Sequence, residues 1–323
     1  MRMWSIVALV IIAGSTVADR LHAQDAFPSS TVKIVVPAAA GSTTDTLARL
    51  TADQLSHKWA KAVVVENIAG GAMNIGAERV ARSTPDGHTL MVAPPSPLSF
   101  NHLLYRDLNY DPKSFVPITL LAKVANALVV KNDLPAKSLQ ELIAYGKANP
   151  GKLLYASQGV GSTAHLSASQ MEMLAGIKMV HVPYRGAVPA LNDIVAGHVD
   201  LFFDTLTTSV PLFRGDKVKI LAVAGAERAP ALPDVPTLHE SGLPGFRSIT
   251  WFGLVAPPET PPALAARINR DVVEILSNKD ISDKLRELRL DPGATSPTDT
   301  AKFFAEEAEL WSKVIRQANI TAQ

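Results

Sequence analysis

The sequence predicts an α/β protein made of two parallel-sheet lobes joined by crossing strands. Three observations predict it. Short β-branched apolar runs alternate along the chain with amphipathic helical patterns, which is how helices packed on open parallel sheets read. The runs are apolar throughout rather than alternating, as strands covered on both faces are. The chain has 323 residues, more than one average domain. Two long extended apolar segments, Phe115–Val130 and Pro244–Ala256, lie where a chain would leave a first lobe and later return to it. The expected division is residues 24–125 with 247–323 as lobe 1, and 126–246 as lobe 2.

In chain order, the first element is a targeting segment. Met1-Arg2 gives a positive start, Trp4–Gly14 is apolar apart from Ser5, and Leu21-His22-Ala23 ends on a small residue. This is the pattern of a secretory signal peptide cleaved after Ala23. The apolar run is too short to cross a membrane, which takes roughly 20 residues. No twin Arg precedes it, which argues against export of a folded, cofactor-loaded protein.

Strands are expected at Thr31–Val36, Ala62–Val65, Leu90–Ala93, Ala127–Val130, Leu153–Ala156, Met179–Val182, Leu201–Phe203, Lys219–Val223 and Phe252–Ala256. Ser138-Leu-Gln-Glu141 is a capping box, and its helix stops at Asn149-Pro150-Gly151. Thr260-Pro261 reads as an N-cap with Pro in the first turn, with Leu264, Ile268, Val272 and Ile275 on one face. Ser296-Pro297 opens a last helix whose buried stripe is Phe304, Ala308, Trp311 and Ile315.

Composition narrows the function. Apolar residues make up 47% and charged residues 19%, so the chain can build cores and is not disordered. The net charge of +1 gives no electrostatic case for nucleic acid or an acidic membrane. Loss of residues 1–23 removes Arg2, Arg20 and Asp19 and leaves a balanced mature chain, so any bound anion must be held by local groups. There is no Cys, which excludes disulfides, thiolate metal sites, Cys nucleophiles and a lipid-modified N-terminal Cys. The eight His show no metal-ligand spacing, and neither metal nor cofactor is expected.

Two glycine-containing turns follow strands and open helices. One is Pro37-Ala38-Ala-Ala-Gly41-Ser42-Thr43-Thr44-Asp45. The other is Ser157-Gln158-Gly159-Val160-Gly161-Ser162-Thr163. A helix N-terminus leaves N–H groups unpaired and carries partial positive charge. Glycine admits close approach and the hydroxyls add donors, so each turn is a candidate carboxylate cradle. The dipole contributes only ~0.3–1 kcal/mol per charge, so several donors must converge. Either turn alone reads first as an ordinary capped βα turn; their similarity, one per expected lobe, favours binding. Ser96, in a proline-stiffened loop, and the loop Asn67–Gly76 leave structural and binding roles open.

Enzyme readings are weaker. Gly159-Val-Gly161-Ser-Thr-Ala164 fits a relaxed dinucleotide fingerprint, but the next strand leads to Tyr184-Arg185 and not to an acidic ribose partner. Ser162, His165 and Asp204 could serve an exported hydrolase, yet the G-x-S-x-G elbow is absent. His165, three residues after Ser162, reads as a packing or orienting residue. Asp204, ending a strand, either caps the next segment or accepts a hydrogen bond from a ligand.

These segments resemble the Bug (TctC-like) family, periplasmic receptors of tripartite tricarboxylate transporters. The resemblance runs from about Phe27 to the C-terminus. It rests on Val35-Val36-Pro37 with Gly41–Asp45, Pro85-Asp86-Gly87-His88-Thr89-Leu90, Ala148–Leu153, Tyr155 through Leu166, His181-Val-Pro-Tyr184-Arg-Gly186, Phe203-Asp204 and Trp251-Phe-Gly253. It implies a type II periplasmic-binding fold that closes on a small organic carboxylate, a monomer, and delivery to the transporter's membrane subunits. A ligand-presenting sensor component is the alternative that sequence does not separate from transport. The ligand loops it implies are Ala38–Asp45 and Ser157–Thr163, with Asp204 near the cleft and water bridges common. Two positions depart from the family pattern. Ala38 stands where an aromatic residue is usual, which implies a roomier first-lobe wall. Asn67-Ile68-Ala69-Gly70-Gly71-Ala72 lacks the family's Arg and Pro.

Overall fold

A strand of 16 residues organises the molecule, because both halves of the sheet are built onto it. The computed structural model describes residues 27–322, and the expected signal segment lies outside them. The first half comprises β1 (Val32–Val36), α1 (Thr43–Trp59), β2 (Val63–Asn67), α2 (Asn74–Ala81) and β3 (Thr89–Ala93). The long strand is β4 (Val116–Lys131). The second half follows: α3 (Leu139–Ala148), β5 (Leu153–Ser157), α4 (Thr163–Ala175), β6 (Met179–Pro183), α5 (Ala187–Val195), β7 (Leu201–Thr205), α6 (Leu206–Arg214) and β8 (Val218–Val223). The return strand is β9 (Ile249–Ala256). After it come α7 (Pro262–Ser277), α8 (Lys279–Glu287), the short β10 (Asp291–Pro292) and α9 (Pro297–Gln317).

Among the described residues the sheet order is β2-β1-β3-β9-β4-β7-β5-β6, with β8 and β10 also on β4. β1 is parallel to β2 and β3, and β5 is parallel to β6 and β7. The centre differs from a purely parallel sheet. β9 runs antiparallel to β3 and β4, and β4 runs antiparallel to β7 and β8. An apolar strand covered on both faces reads the same in either direction, so the sequence could not show the reversal. The first part of β4 pairs with β9 (Val116↔Ala256 to Ala125↔Ile249), and its last part pairs with β7 and β8. Each lobe therefore has its own sheet, and β4 belongs to both. Leu120, Leu121, Ala122, Val124 and Ala127–Val130 are all buried. Each larger side chain among them contributes roughly 1.5–3 kcal/mol by leaving water.

Helix ends follow local chemistry with one correction. Ser138 Oγ accepts from Glu141 N–H at 3.2 Å, and the Glu141 carboxylate accepts from Lys137 N–H at 2.7 Å, closing the box one residue upstream. Thr260 is not the N-cap of α7. Pro262 holds Pro261 extended (ψ 134), so the helix starts later and Thr260 Oγ1 donates to the Pro257 carbonyl instead. The buried face of α7 is Ala265, Ile268, Val272 and Leu276, with Leu264 and Ile275 half-buried beside it. α9 buries Trp311, Val314 and Ile315, while Phe304 and Ala308 are half-buried. It docks on β9 through Trp251, which stacks on Phe304 at 4.6 Å and donates from Nε1 to buried Glu307 at 3.0 Å. Pro244–Ser248, expected as extended, is instead a turn that buries Phe246 against Phe203.

Gly293 lets the segment before α9 press onto β4. A Cβ there would stand 2.7 Å from the carbonyl carbon of Leu120, and closer still to its oxygen. Gly293→Ala is expected to lower unfolding free energy by about 1–3 kcal/mol in urea denaturation. Wild-type stability would contradict this packing.

Candidate functional site

The two glycine turns fold as copies of one another. Ser42 N–H donates to the Ala39 carbonyl, and Ser162 N–H donates to the Gly159 carbonyl. Gly41 and Gly161 are left-handed, at φ +80 and +79. Ser42 and Ser162 cap α1 and α4, their Oγ atoms each accepting at 3.3 Å from the N–H three residues on. In both turns the glycine N–H is taken by the side chain four residues later. Gly41 donates to Asp45 Oδ2 at 2.9 Å, and Gly161 donates to His165 Nδ1 at 3.0 Å. The glycine amides are thus spent inside the turns. The N–H groups that helix geometry leaves for a ligand are those of Thr43 and Thr44 in one turn and Thr163 and Ala164 in the other.

Both turns line one cavity between the lobes. Of the residues expected from sequence, Ala38, Ser42, Thr43, Thr44, Ser96, Ser162, Thr163 and Asp204 line it. Gly41, Asp45, Ser157, Gly159, Gly161 and His165 do not; they shape and brace the turns. The cavity is narrow, about 50 Å³, against ~10–15 Å³ for a single water. The halves touch around it. Thr43 and Thr205 hydroxyls hydrogen-bond at 2.7 Å, Ser96 Oγ donates to the Gly161 carbonyl at 3.1 Å, and Tyr105 donates to the Val160 carbonyl at 3.2 Å.

Each turn is braced differently. Burial alone would raise the Asp45 pKa, but bonds from Arg49, Gly41 and Asn67 outweigh it and hold the carboxyl below its ordinary value. In the second turn His165 stacks on His181 at 4.1 Å between rings, and His181 shares a 2.6 Å hydrogen bond with Ser157. Burial pushes His165 down to about 3 and His181 to about 4. Both imidazoles are neutral at ordinary pH, and His165 accepts at Nδ1. Asp204 is 1% exposed. Burial pushes its carboxyl up to about 7. Thr208 Oγ1 donates to Oδ2, and buried Oδ1 has no partner among the described residues.

The comparisons with known proteins agree on one family. Residues 47–320 match the family described as the tripartite tricarboxylate transporter family receptor. Protein BugT of Bordetella pertussis is 31% identical, over 98% of each chain. The chain belongs to the Bug/TctC receptor family. Among solved structures, Rpa4515 of R. palustris with adipate superposes with a TM-score of 0.89 at 37% identity, covering 91% of this chain and 99% of that one. MatC of Rhodopseudomonas palustris with bound malate gives 0.85 at 35% identity, covering 90% and 100%. The receptor thus has the type II periplasmic-binding architecture, and its family is one of periplasmic binding proteins and not of enzymes.

The hydrolase arrangement is not formed. Ser162 Oγ meets the backbone of His165 and not its ring, and the ring's Nδ1 is held by Gly161. Sequence reasoning missed much of the cavity wall. Asn126, Thr250 and Phe252 come from the crossing strands, Met73 from the Gly70–Met73 loop, and Gly186 and Ala187 from the start of α5. Their only local signals were a polar residue inside an apolar strand (Asn126) and a glycine opening a helix (Gly186). Ala38 also borders a second small cavity with Met73, Gln158 and Gly186, which reaches Arg185.

The histidine pair sets an expected pH response. An unfolded His protonates near its ordinary value of ~6.5, whereas folded His165 resists until about 3. The unfolded chain therefore binds more protons between these values, and stability falls as pH drops from about 6.5 toward 4. His165→Asn keeps an acceptor for Gly161 and removes the titration. Urea midpoints measured across this range should decline less steeply in that variant; equal slopes would contradict the assignment.

Proposed function

We propose that this receptor captures a small organic mono- or dicarboxylate between its two Gly-Ser-Thr turns, and that the closed form is what the membrane subunits of a tripartite tricarboxylate transporter recognise. The carrying observation is the duplication: two copies of one helix-opening turn converge on a single cavity from opposite lobes. Thr43, Thr44, Thr163 and Ala164 amides and the Thr44 and Thr163 hydroxyls are the proposed anion donors. The adipate and malate held by the related structures support a carboxylate ligand of that size. In this reading the lobes are residues 24–125 with 247–323, and 126–246. The chain is exported by cleavage after Ala23 and acts as a monomer. A ligand shifts the open–closed balance only by its preference for the closed form, and contacts to both turns supply that preference.

The test is calorimetric titration with adipate and malate. Thr44→Val and Thr163→Val preserve shape and remove one hydroxyl each. A hydrogen bond to a charged group contributes about 1.5–3 kcal/mol, so each variant should bind about tenfold more weakly or worse. Wild-type affinity in both would overturn the proposed contacts. Gly161 is unsuited to this test, because any Cβ there collides with Leu104.

Asp204 is the one titratable side chain among the cavity-lining residues. Protonated, it can donate to a carboxylate; ionised, it repels one. Affinity for adipate should therefore fall as pH rises through about 7. Asp204→Asn should flatten that dependence, and an unchanged profile would remove Asp204 from the site.

A further inference from the structure

The strands that floor the cleft have a second face. Asn126 and Thr250 line the cleft, whereas their neighbours Ala125 and Ile249, paired with each other, line a separate groove. Successive side chains alternate across a strand, so the groove lies behind the hinge. It is larger than the cleft, about 530 Å³. Its walls come from both lobes: Lys123, Arg289 and Asp291 on one side, Leu206, Arg228 and Ala229 on the other.

Its charge is one-sided. Five cationic side chains line it against two carboxylates, Glu227 and Asp291, in a chain that is otherwise balanced. Two of the cations are already paired, Arg228 with Glu240 at 3.0 Å and Arg286 with Asp283 at 3.2 Å. The other three are not paired with any carboxylate among the described residues. Lys123 lies over the Phe303 ring at 4.4 Å. Arg247 is exposed at the rim. Arg289 has a left-handed backbone (φ 64), and its Nε is buried without a hydrogen-bond partner. Nearby Arg214 opposes its charge. A buried guanidinium N–H without an acceptor, beside another cation, is unfavourable until an anion reaches it.

We propose that this groove is a second binding site, for a small polyanion bearing at least two anionic groups, and that its occupancy is linked to closure of the cleft. Lys123, Arg247 and Arg289 supply its charge, while Ala125, Ile249 and Leu206 supply apolar surface. Because both lobes wall the groove, rotation about β4 and β9 changes its width, and whatever fills it favours one hinge angle. Linkage is reciprocal.

The experiment is calorimetry on the mature protein at constant ionic strength, with pyrophosphate and citrate as probes. One-site binding of pyrophosphate, or of citrate where it survives Thr163→Val, supports the proposal, and the tighter of the two assigns phosphate or carboxylate chemistry. Arg247→Glu and Arg289→Gln should each weaken pyrophosphate binding at least tenfold. Thr163→Val should leave it intact, which separates this site from the cleft even if the cleft takes no adipate. Saturating pyrophosphate should change adipate affinity at least threefold, and adipate should change pyrophosphate affinity by the same factor. Absence of binding by both probes, wild-type pyrophosphate affinity in both Arg variants, or loss in Thr163→Val would overturn the site. Mutual independence of adipate and pyrophosphate would overturn the linkage.

Discussion

The pairing of β4 with β9 is the constraint on which the remaining structure rests. These antiparallel strands are the covalent and hydrogen-bonded bridge between the lobes, and their residues also floor the cleft. A polar chain runs through them under the cavity. Asn126 donates to Ser248 at 2.7 Å and accepts from Thr250 at 3.0 Å, and Ser248 meets Ser167 of α4 at 2.6 Å. All four residues are buried. Buried polar groups carry a high desolvation cost when unpaired, so this set holds only if the strands and α4 keep their registration. The same groups that fix the hinge thus fix the floor of the cavity.

Onto this frame the fold places one small device twice. Each helix-opening turn satisfies its glycine amide internally and leaves the next amides toward the cavity. The two copies use different side chains for the same bond, Asp45 in one and neutral His165 in the other. The first turn is therefore braced by a carboxylate that Arg49 and Asn67 steady, and the second by an uncharged ring stacked on His181. The proposed anion recognition does not depend on net charge, which is only +1: the donors are local, backbone-led and already oriented by helix formation. Three cations without a carboxylate partner among the described residues, Lys123, Arg247 and Arg289, lie elsewhere, on the far face of the hinge.

The strand runs, the capping box at Ser138 and the Gly-Ser-Thr turns were legible in the sequence because each is a local pattern, set by side-chain burial or by a bond spanning three or four residues. Their likeness to each other was legible too. The start of α7 lies one residue beyond the expected position: two consecutive prolines, not Thr260, set the boundary. The brace at Gly41 and Gly161 was hidden because Asp45 and His165 share no chemistry that a sequence comparison would align.

What the sequence determined by itself is the class of the fold, the position of the two turns and the family pattern that joins them, since these depend on periodicity and short-range bonding. Only the tertiary structure decided that the turns share one cavity, that β4 and β9 run antiparallel through its floor, and that Met73, Asn126, Thr250 and Gly186 complete its wall. The reason is physical. Those relations join residues far apart along the chain, and nothing in an apolar strand or a capped turn encodes which distant surface it will meet.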